Sequence, residues 1–187
     1  MARFVLLPVL CIGCVPVLTS PPGDEAVRSA ADWTPPENDW PSVEELPATV
    51  EAEGFLTGET PPDMRLMDQF GDEVSLWQFY GNVIALDVST IWCGPCQEAA
   101  SHVQEIADKY ADEGFVFISL LPEDISGQVP EQDDLEYWSE RHGINEPILA
   151  DNQRFAYDIE PNQAWPRILI IDRELTVVAN PVTPSTE

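Results

Sequence analysis

The stretch "TIWCGPCQEA", residues 90–99, places Cys93 and Cys96 on either side of a glycine and a proline. An apolar, β-branched run at 83–88 precedes it and a segment with helical periodicity follows, so the pair is predicted at a strand-to-helix junction. Pro95 suits the first helical turn, where its missing N–H would have no partner. Unpaired N–H groups and the helix dipole there would stabilise a Cys93 thiolate. The spacing therefore predicts a redox couple in which Cys93 attacks and Cys96 resolves.

Two other interpretations of the pair stay open. A zinc site normally needs a second ligand pair at comparable spacing, whereas the globular part of the chain offers only His102 and His142, far apart in sequence. A purely structural disulfide is the other alternative. It is disfavoured because closing so short a loop removes little entropy from the unfolded chain.

The first residues are typical of an export signal. The run "MARFVLLPVLCIGC" has one early positive charge and then an apolar segment too short to span a bilayer as a mature helix. Gly13 before Cys14 resembles the cleavage box of bacterial lipoproteins, although Cys11 replaces the usual leucine. We predict a signal peptide over 1–19, of the lipoprotein type, cleaved before a lipidated Cys14. The alternatives are an ordinary signal cut near Ser20 and an uncleaved anchor.

Residues 20–63 form a second zone of distinct composition. It holds eight prolines and eleven acidic residues against the single Arg28. Proline removes backbone donors and like charges repel, so we predict an extended, mostly disordered tether. Trp33 and Trp40 interrupt this segment, and docking of their rings on the folded domain or on a partner is the alternative.

Charge excludes one class of partner. The chain of 187 residues has 8 basic and 34 acidic side chains, a formal net charge of −26. No basic patch exists that could neutralise phosphates, so we expect no nucleic acid partner.

Four cysteines are too few for a disulfide-rich scaffold.

From residue 64 to 187 the pattern predicts one folded domain. In order, the expected elements are a hairpin over 64–76, a helical turn near 76–82, a strand over 83–88, a helix over 96–114, a strand over 115–121, an acidic loop, a helix over 134–143, a short helix over 151–159, and strands over 167–172 and 175–180. This order is typical of an α/β domain with helices packed over a mixed sheet.

Two residues outside the motif are further candidates. Asp87 lies within an apolar strand, where a carboxylate costs free energy unless it is satisfied. Burial there would raise its pKa and let it accept the Cys96 proton, whereas a strand-end position would leave it facing solvent. Pro166 opens a strand, and a cis bond would bring the backbone groups of Trp165 beside another element.

The order strand, WCGPC, helix, strand, helix, proline, strand, strand over roughly 64–180 resembles the thioredoxin fold. It is most similar to the exported TlpA/ResA-type thiol–disulfide oxidoreductases. The residues that fall where thioredoxins carry them are Trp92, Cys93, Gly94, Pro95, Cys96, Asp87 and Pro166, the last as the family's cis-proline. The resemblance implies a central mixed sheet flanked by helices, with an N-terminal hairpin extension.

The chain departs from that subfamily at three places. Ala99 stands where a glutamate is usual, and Glu98 lies one position early. Trp165 is bulky before the proline and would narrow the substrate groove. The C-terminal helix that usually covers one sheet face is expected to be missing, because the sequence ends soon after the last strand.

The resemblance implies an exported, membrane-anchored enzyme of the bacterial cell envelope or periplasm. Its expected partners are disulfide-bearing or dithiol proteins of the envelope and an upstream thiol reductant, with no cofactor and no metal. A thiol peroxidase is an alternative, because Thr90 stands three residues before Cys93. A copper metallochaperone is another, which would need His142 near the pair. A redox-silent adaptor is the third.

Overall fold

The structure, a computed structural model, describes residues 29–182, without the side chains of Pro181 and Val182. Seven strands lie at Arg65–Met67 (β1), Glu73–Ser75 (β2), Val83–Val88 (β3), Phe115–Leu121 (β4), Ile148–Ala150 (β5), Arg167–Ile171 (β6) and Val177–Val182 (β7). β1 and β2 form a separate antiparallel hairpin, and the other five strands form one sheet in the order β5-β4-β3-β6-β7. β3, β4 and β5 run parallel, whereas β6 and β7 are antiparallel to their neighbours.

The helices lie at Gly94–Ala100 (α1), Val103–Tyr110 (α2), Gln132–His142 (α3) and Phe155–Ile159 (α4). α1, α2 and α3 pack on one sheet face, through a buried cluster that includes Ala85 and Cys96. The hairpin and α4 pack on the opposite face, in the cluster that includes Ile84 and Leu86. Because β3 is covered on both faces, its continuous apolar run needs no polar alternation. The predicted mixed sheet flanked by helices, with a hairpin before it, is confirmed.

The prediction of one continuous helix over 96–114 is wrong. It divides at Ser101 and His102 into α1 and α2, and a short 3-10 turn, Ala111–Glu113, follows. The Ser101 hydroxyl donates to the carbonyl of Glu98 at 2.6 Å. A serine side chain that bonds back to the preceding turn competes with the backbone ladder and bends a helix.

β5 was not predicted. It contributes only three residues, and a three-residue apolar run has no readable periodicity. Its place in the sheet comes from parallel pairing with β4, in which Leu120 lies opposite Leu149.

Residues 29–63, called the N-terminal segment below, lie on the domain rather than extending as a disordered tether. The Trp33 side chain is 8% exposed, and its indole N–H donates to Ser75 Oγ at 2.9 Å. Trp40 donates to Asp68 Oδ2 at 2.6 Å. Docking of the two tryptophan rings on the folded domain, the alternative to a disordered tether, therefore describes this segment. Each ring buries apolar surface while its N–H group keeps a hydrogen-bond acceptor.

The N-terminal segment also covers the free edge of the sheet. Gly58 N–H donates to the Val177 carbonyl at 2.8 Å, and Val177 N–H donates to the Glu59 carbonyl at 2.9 Å. The Asn180 amide reaches the Phe55 carbonyl at 2.9 Å. These contacts occupy backbone groups of an edge strand that would otherwise be open to pairing with another chain.

Several predictions concern residues that the structure does not describe. The signal peptide over 1–19 and the lipidation of Cys14 lie outside the described residues, as do residues 20–28 of the predicted tether. The expected absence of a C-terminal helix also concerns residues outside the description, because β7 ends at Val182 and 183–187 are not described. None of the helices described is both long and apolar enough to cross a membrane.

Candidate redox site

The motif lies at the carboxyl end of β3, at the start of α1. Cys93 caps α1, and its Sγ accepts a hydrogen bond from the Cys96 N–H at 3.3 Å. The two cysteines are bonded as a disulfide, with Cα atoms 5.2 Å apart. Pro95 occupies the first turn, where no intrahelical bond is lost.

The two cysteines differ in access. Cys93 retains 6% of its surface, and its neighbours Gly94 and Pro95 are exposed, whereas Cys96 is 0% exposed within the core beside α1 and α2. Of the two cysteines, Cys93 is therefore the one nearer to solvent, and Cys96 is shielded by the core.

The loop before β6 lies against the disulfide. The Trp165–Pro166 peptide bond is cis, as the resemblance implies. The Trp165 carbonyl oxygen lies 3.8 Å from Cys93 Sγ. The backbone of this loop therefore lies directly beside Cys93.

Asp87 is 1% exposed and does not face solvent. It lies two residues after Ala85 on the same strand and hence on the same sheet face as Cys96. Desolvation raises the pKa of this carboxyl to about 7, against the hydrogen bond that Ser89 Oγ donates to Oδ2 at 2.7 Å. Oδ1 has no hydrogen-bond partner. A carboxyl with such a pKa can take up and return a proton near neutral pH.

Two further hydroxyls of this part of the fold are buried and have no hydrogen-bond partner. Ser119 lies opposite Asp87 in the β3–β4 register, and its Oγ has no hydrogen-bond partner. The hydroxyl of Thr90, the residue on which the peroxidase alternative rests, is also buried and unpaired. Asp87 and Ser119 are therefore polar side chains on the otherwise apolar sheet face that α1, α2 and α3 cover.

Trp92 and the loop after β4 form the outer wall of the site. The Trp92 side chain is 48% exposed, and its indole N–H donates to Glu123 Oε2 at 2.7 Å. The Tyr157 hydroxyl donates to Glu123 Oε1 at 2.8 Å, and the Tyr157 ring packs edge-on against Trp165 at 6.1 Å. We call the surface formed by Trp92, Glu123, Tyr157 and Trp165 beside Cys93 the active-site groove.

Sequence analysis missed Glu123 and Tyr157. Glu123 follows β4, and the carboxyl ends of the parallel strands β3 and β4 meet at one sheet edge, so its position after a buried strand was the available signal. Tyr157 carried no comparable signal, because its place depends on the packing of a five-residue helix.

Two other polar candidates, Glu98 and His142, line one surface pocket together with Gly94. Glu98 is exposed on α1, and the His142 ring packs against Trp138 with ring centroids 4.4 Å apart. Among residues 29–182, no three histidine, cysteine or acidic side chains come together in an arrangement that could hold a metal ion.

Comparison with known proteins agrees with this geometry. One similar structure is described as the thiol:disulfide interchange protein DsbE from Chlorobium tepidum, with 22% identity and a TM-score of 0.59 over 69% of this chain and 86% of that one. Another is the thioredoxin domain of a thiol-disulfide oxidoreductase from Bacteroides vulgatus, with 19% identity and a TM-score of 0.59 over 69% and 90%. At such identities these matches establish a thioredoxin-like fold.

A sequence relative and a family model narrow the assignment. Thioredoxin H8 from Arabidopsis thaliana is 26% identical over 93 residues, which is 50% of this chain and 55% of that protein. The chain thus spans about half the length of this curated relative. The model of the AhpC/TSA family matches residues 57–180, from the end of the N-terminal segment into β7. The chain belongs to the AhpC/TSA family.

Proposed function

We propose that this chain is an exported, membrane-anchored thiol–disulfide oxidoreductase that exchanges or reduces disulfides in envelope proteins through Cys93 and Cys96. The arrangement of the two sulfur atoms carries the proposal. Cys93 keeps 6% of its surface exposed and its sulfur lies 3.8 Å from the Trp165 carbonyl oxygen, whereas Cys96 is fully buried.

In the reducing direction the protein begins as the dithiol. The Cys93 thiolate attacks one sulfur of the partner disulfide, forms a mixed disulfide and releases the other partner sulfur as a thiolate. Cys96 then attacks Cys93 Sγ, which restores the Cys93–Cys96 bond and releases the second partner thiolate. Two electrons pass from the protein to the partner, and an upstream thiol reductant must return them.

Asp87 supplies the proton chemistry of the second step. Cys96 must lose its proton before it attacks, and a fully buried thiol has no water to take it. A carboxyl whose pKa lies at about 7 is half ionised near neutral pH, so it is suited both to accept this proton and to return it.

Export and anchoring rest on residues 1–19. Their charge and apolar pattern support a secretory signal, and Gly13 before Cys14 supports lipidation of that cysteine. Incorporation of a labelled fatty acid in cells tests this part. We expect label in the natural chain and none in Cys14→Ala, and label in both would contradict lipidation at that residue.

A redox titration of the purified protein tests the activity. Thiol alkylation with a mass readout across a series of glutathione buffers should give a reversible two-electron transition at Cys93 and Cys96. A pair that stays oxidised in strongly reducing buffer would favour a structural disulfide. A reduced pair protected from alkylation would favour bound metal. Turnover of hydrogen peroxide faster than that of protein disulfides would favour the peroxidase alternative.

A further inference from the structure

Glu123 is held by several hydrogen bonds at the wall of the active-site groove. Its two carboxylate oxygens accept the Trp92 indole N–H at 2.7 Å and the Tyr157 hydroxyl at 2.8 Å. Its backbone carbonyl accepts the Ile91 N–H at 3.1 Å. Three contacts therefore fix this half-buried residue relative to the motif.

The two residues that hold Glu123 are both linked to the surroundings of Cys93. Trp92 immediately precedes Cys93, and Tyr157 packs against Trp165, whose carbonyl lies 3.8 Å from Cys93 Sγ. The carboxylate thus stands at the wall of the surface that a partner's cysteine must approach. A long cationic side chain next to that cysteine, lysine or arginine, is the chemical complement of this carboxylate.

The negative charge of Glu123 is not neutralised by an ion pair. Both donors are uncharged, and a carboxylate retains acceptor capacity beyond two hydrogen bonds. Among the described residues, ion pairs within 4.0 Å join only Arg65 to Asp63 and Glu73, and Arg167 to Glu160. The guanidinium of Arg154 is directed at the Tyr157 ring, 4.2 Å from its centroid.

The rest of the groove also suits a cation. The Trp92 ring is half exposed beside the carboxylate, and aromatic faces attract ammonium and guanidinium groups. The net charge of −26 steers positively charged partners toward the protein and repels acidic ones. Local and long-range electrostatics therefore favour the same class of partner.

We propose that Glu123 is a specificity-determining residue that selects disulfide partners carrying a lysine or arginine next to the reacting cysteine. This inference rests on the proposed thiol–disulfide exchange. The positive side chain pairs with Glu123 in the mixed-disulfide complex. It also offsets the effect of the Glu123 charge, which would otherwise oppose formation of thiolates in the groove.

Three cystine-bridged peptides that differ only in the residue beside the cysteine, Lys, Gln or Glu, test the inference. The rate of their reduction by the full protein is divided by the rate with dithiothreitol, which removes their intrinsic difference in reactivity. We expect kcat/KM to be roughly fivefold higher for the Lys peptide than for the Glu peptide, as for a moderately exposed ion pair. In Glu123→Gln we expect this ratio to fall below about twofold.

Glu174→Gln is the matched control. It removes one negative charge from the exposed β6–β7 turn, at the end of β6 away from Pro166, and we expect it to retain the natural ratio. Equal ratios in Glu123→Gln and the natural protein would overturn the inference and assign selection to the overall charge. Equal slowing of all three peptides in Glu123→Gln would also overturn it, because Glu123 would then only hold the groove. If the natural protein reduced none of the peptides, the proposed thiol–disulfide exchange activity would itself be contradicted.

Discussion

Trp33 and Ser75, 42 residues apart in sequence, are joined by a buried hydrogen bond of 2.9 Å from the indole N–H to the hydroxyl. The same hydroxyl donates to Asp63 Oδ1 at 2.7 Å, and Asp63 Oδ2 accepts from Arg65 Nε at 3.0 Å. A chain of buried polar contacts therefore ties the N-terminal segment to the hairpin. The segment belongs to the folding unit that carries the redox site.

Trp33→Ala should lower the free energy of unfolding by about 3 kcal/mol, because it empties a buried site and leaves Ser75 without a donor. Trp33→Phe keeps most of the apolar contact and should cost about 1 kcal/mol. Denaturant unfolding of the oxidised protein measures both. Trp92→Ala is the comparison, since its half-exposed ring should contribute much less. Equal losses for Trp33→Ala and Trp92→Ala would contradict the docking of the segment.

Cys93 should be modified far faster than Cys96 in the reduced protein, because only Cys93 reaches the surface. Brief treatment with iodoacetamide, followed by peptide mass analysis, measures the two rates. Cys96→Ser should trap mixed disulfides with partner proteins, whereas Cys93→Ser should trap none. Comparable modification of both thiols in the folded protein would be evidence against this division of roles.

Asp87 should make the oxidised protein less stable as pH rises. Its pKa is 3.8 ordinarily and about 7 when folded, so the native state holds a proton that the unfolded state has lost. The contribution of Asp87 to the free energy of unfolding is fully present below about pH 4 and is lost as pH rises through about 7. A shift of this size corresponds to a loss on the order of 4 kcal/mol.

Asp87→Asn removes this titration and provides the check. The stability of the variant relative to the natural protein should rise between pH 4 and 7, and urea unfolding of the oxidised forms at several pH values measures it. Turnover should also slow, because Cys96 loses its proton acceptor. A stability difference that did not change with pH would exclude a buried, titrating carboxyl.

The sequence predicted the elements that depend on local pattern and composition. β3, β4 and the helix after Pro95 follow from unbroken apolar runs and from the chemistry of a helix start. The high content of proline and acidic residues predicts a disordered N-terminal segment. Its docking depends on hydrogen bonds from two indole rings to residues that are distant in sequence, which composition does not reveal. Glu123 and Tyr157 were not predicted as site residues for the same reason, because the place of each depends on contacts with residues of other elements.

Tyr157 should titrate above the ordinary range of a tyrosine. Burial is the largest cause that raises its pKa to about 12, and the Glu123 carboxylate is the next. Ultraviolet titration should therefore show a late transition that Tyr157→Phe removes. In Glu123→Gln the transition should move toward lower pH, because the phenolate no longer faces a negative charge, while Glu174→Gln should leave it in place. An unchanged transition in Glu123→Gln would mean that the hydroxyl and the carboxylate are not in contact in solution, and the rigid placement of Glu123 beside Cys93 would lose its support.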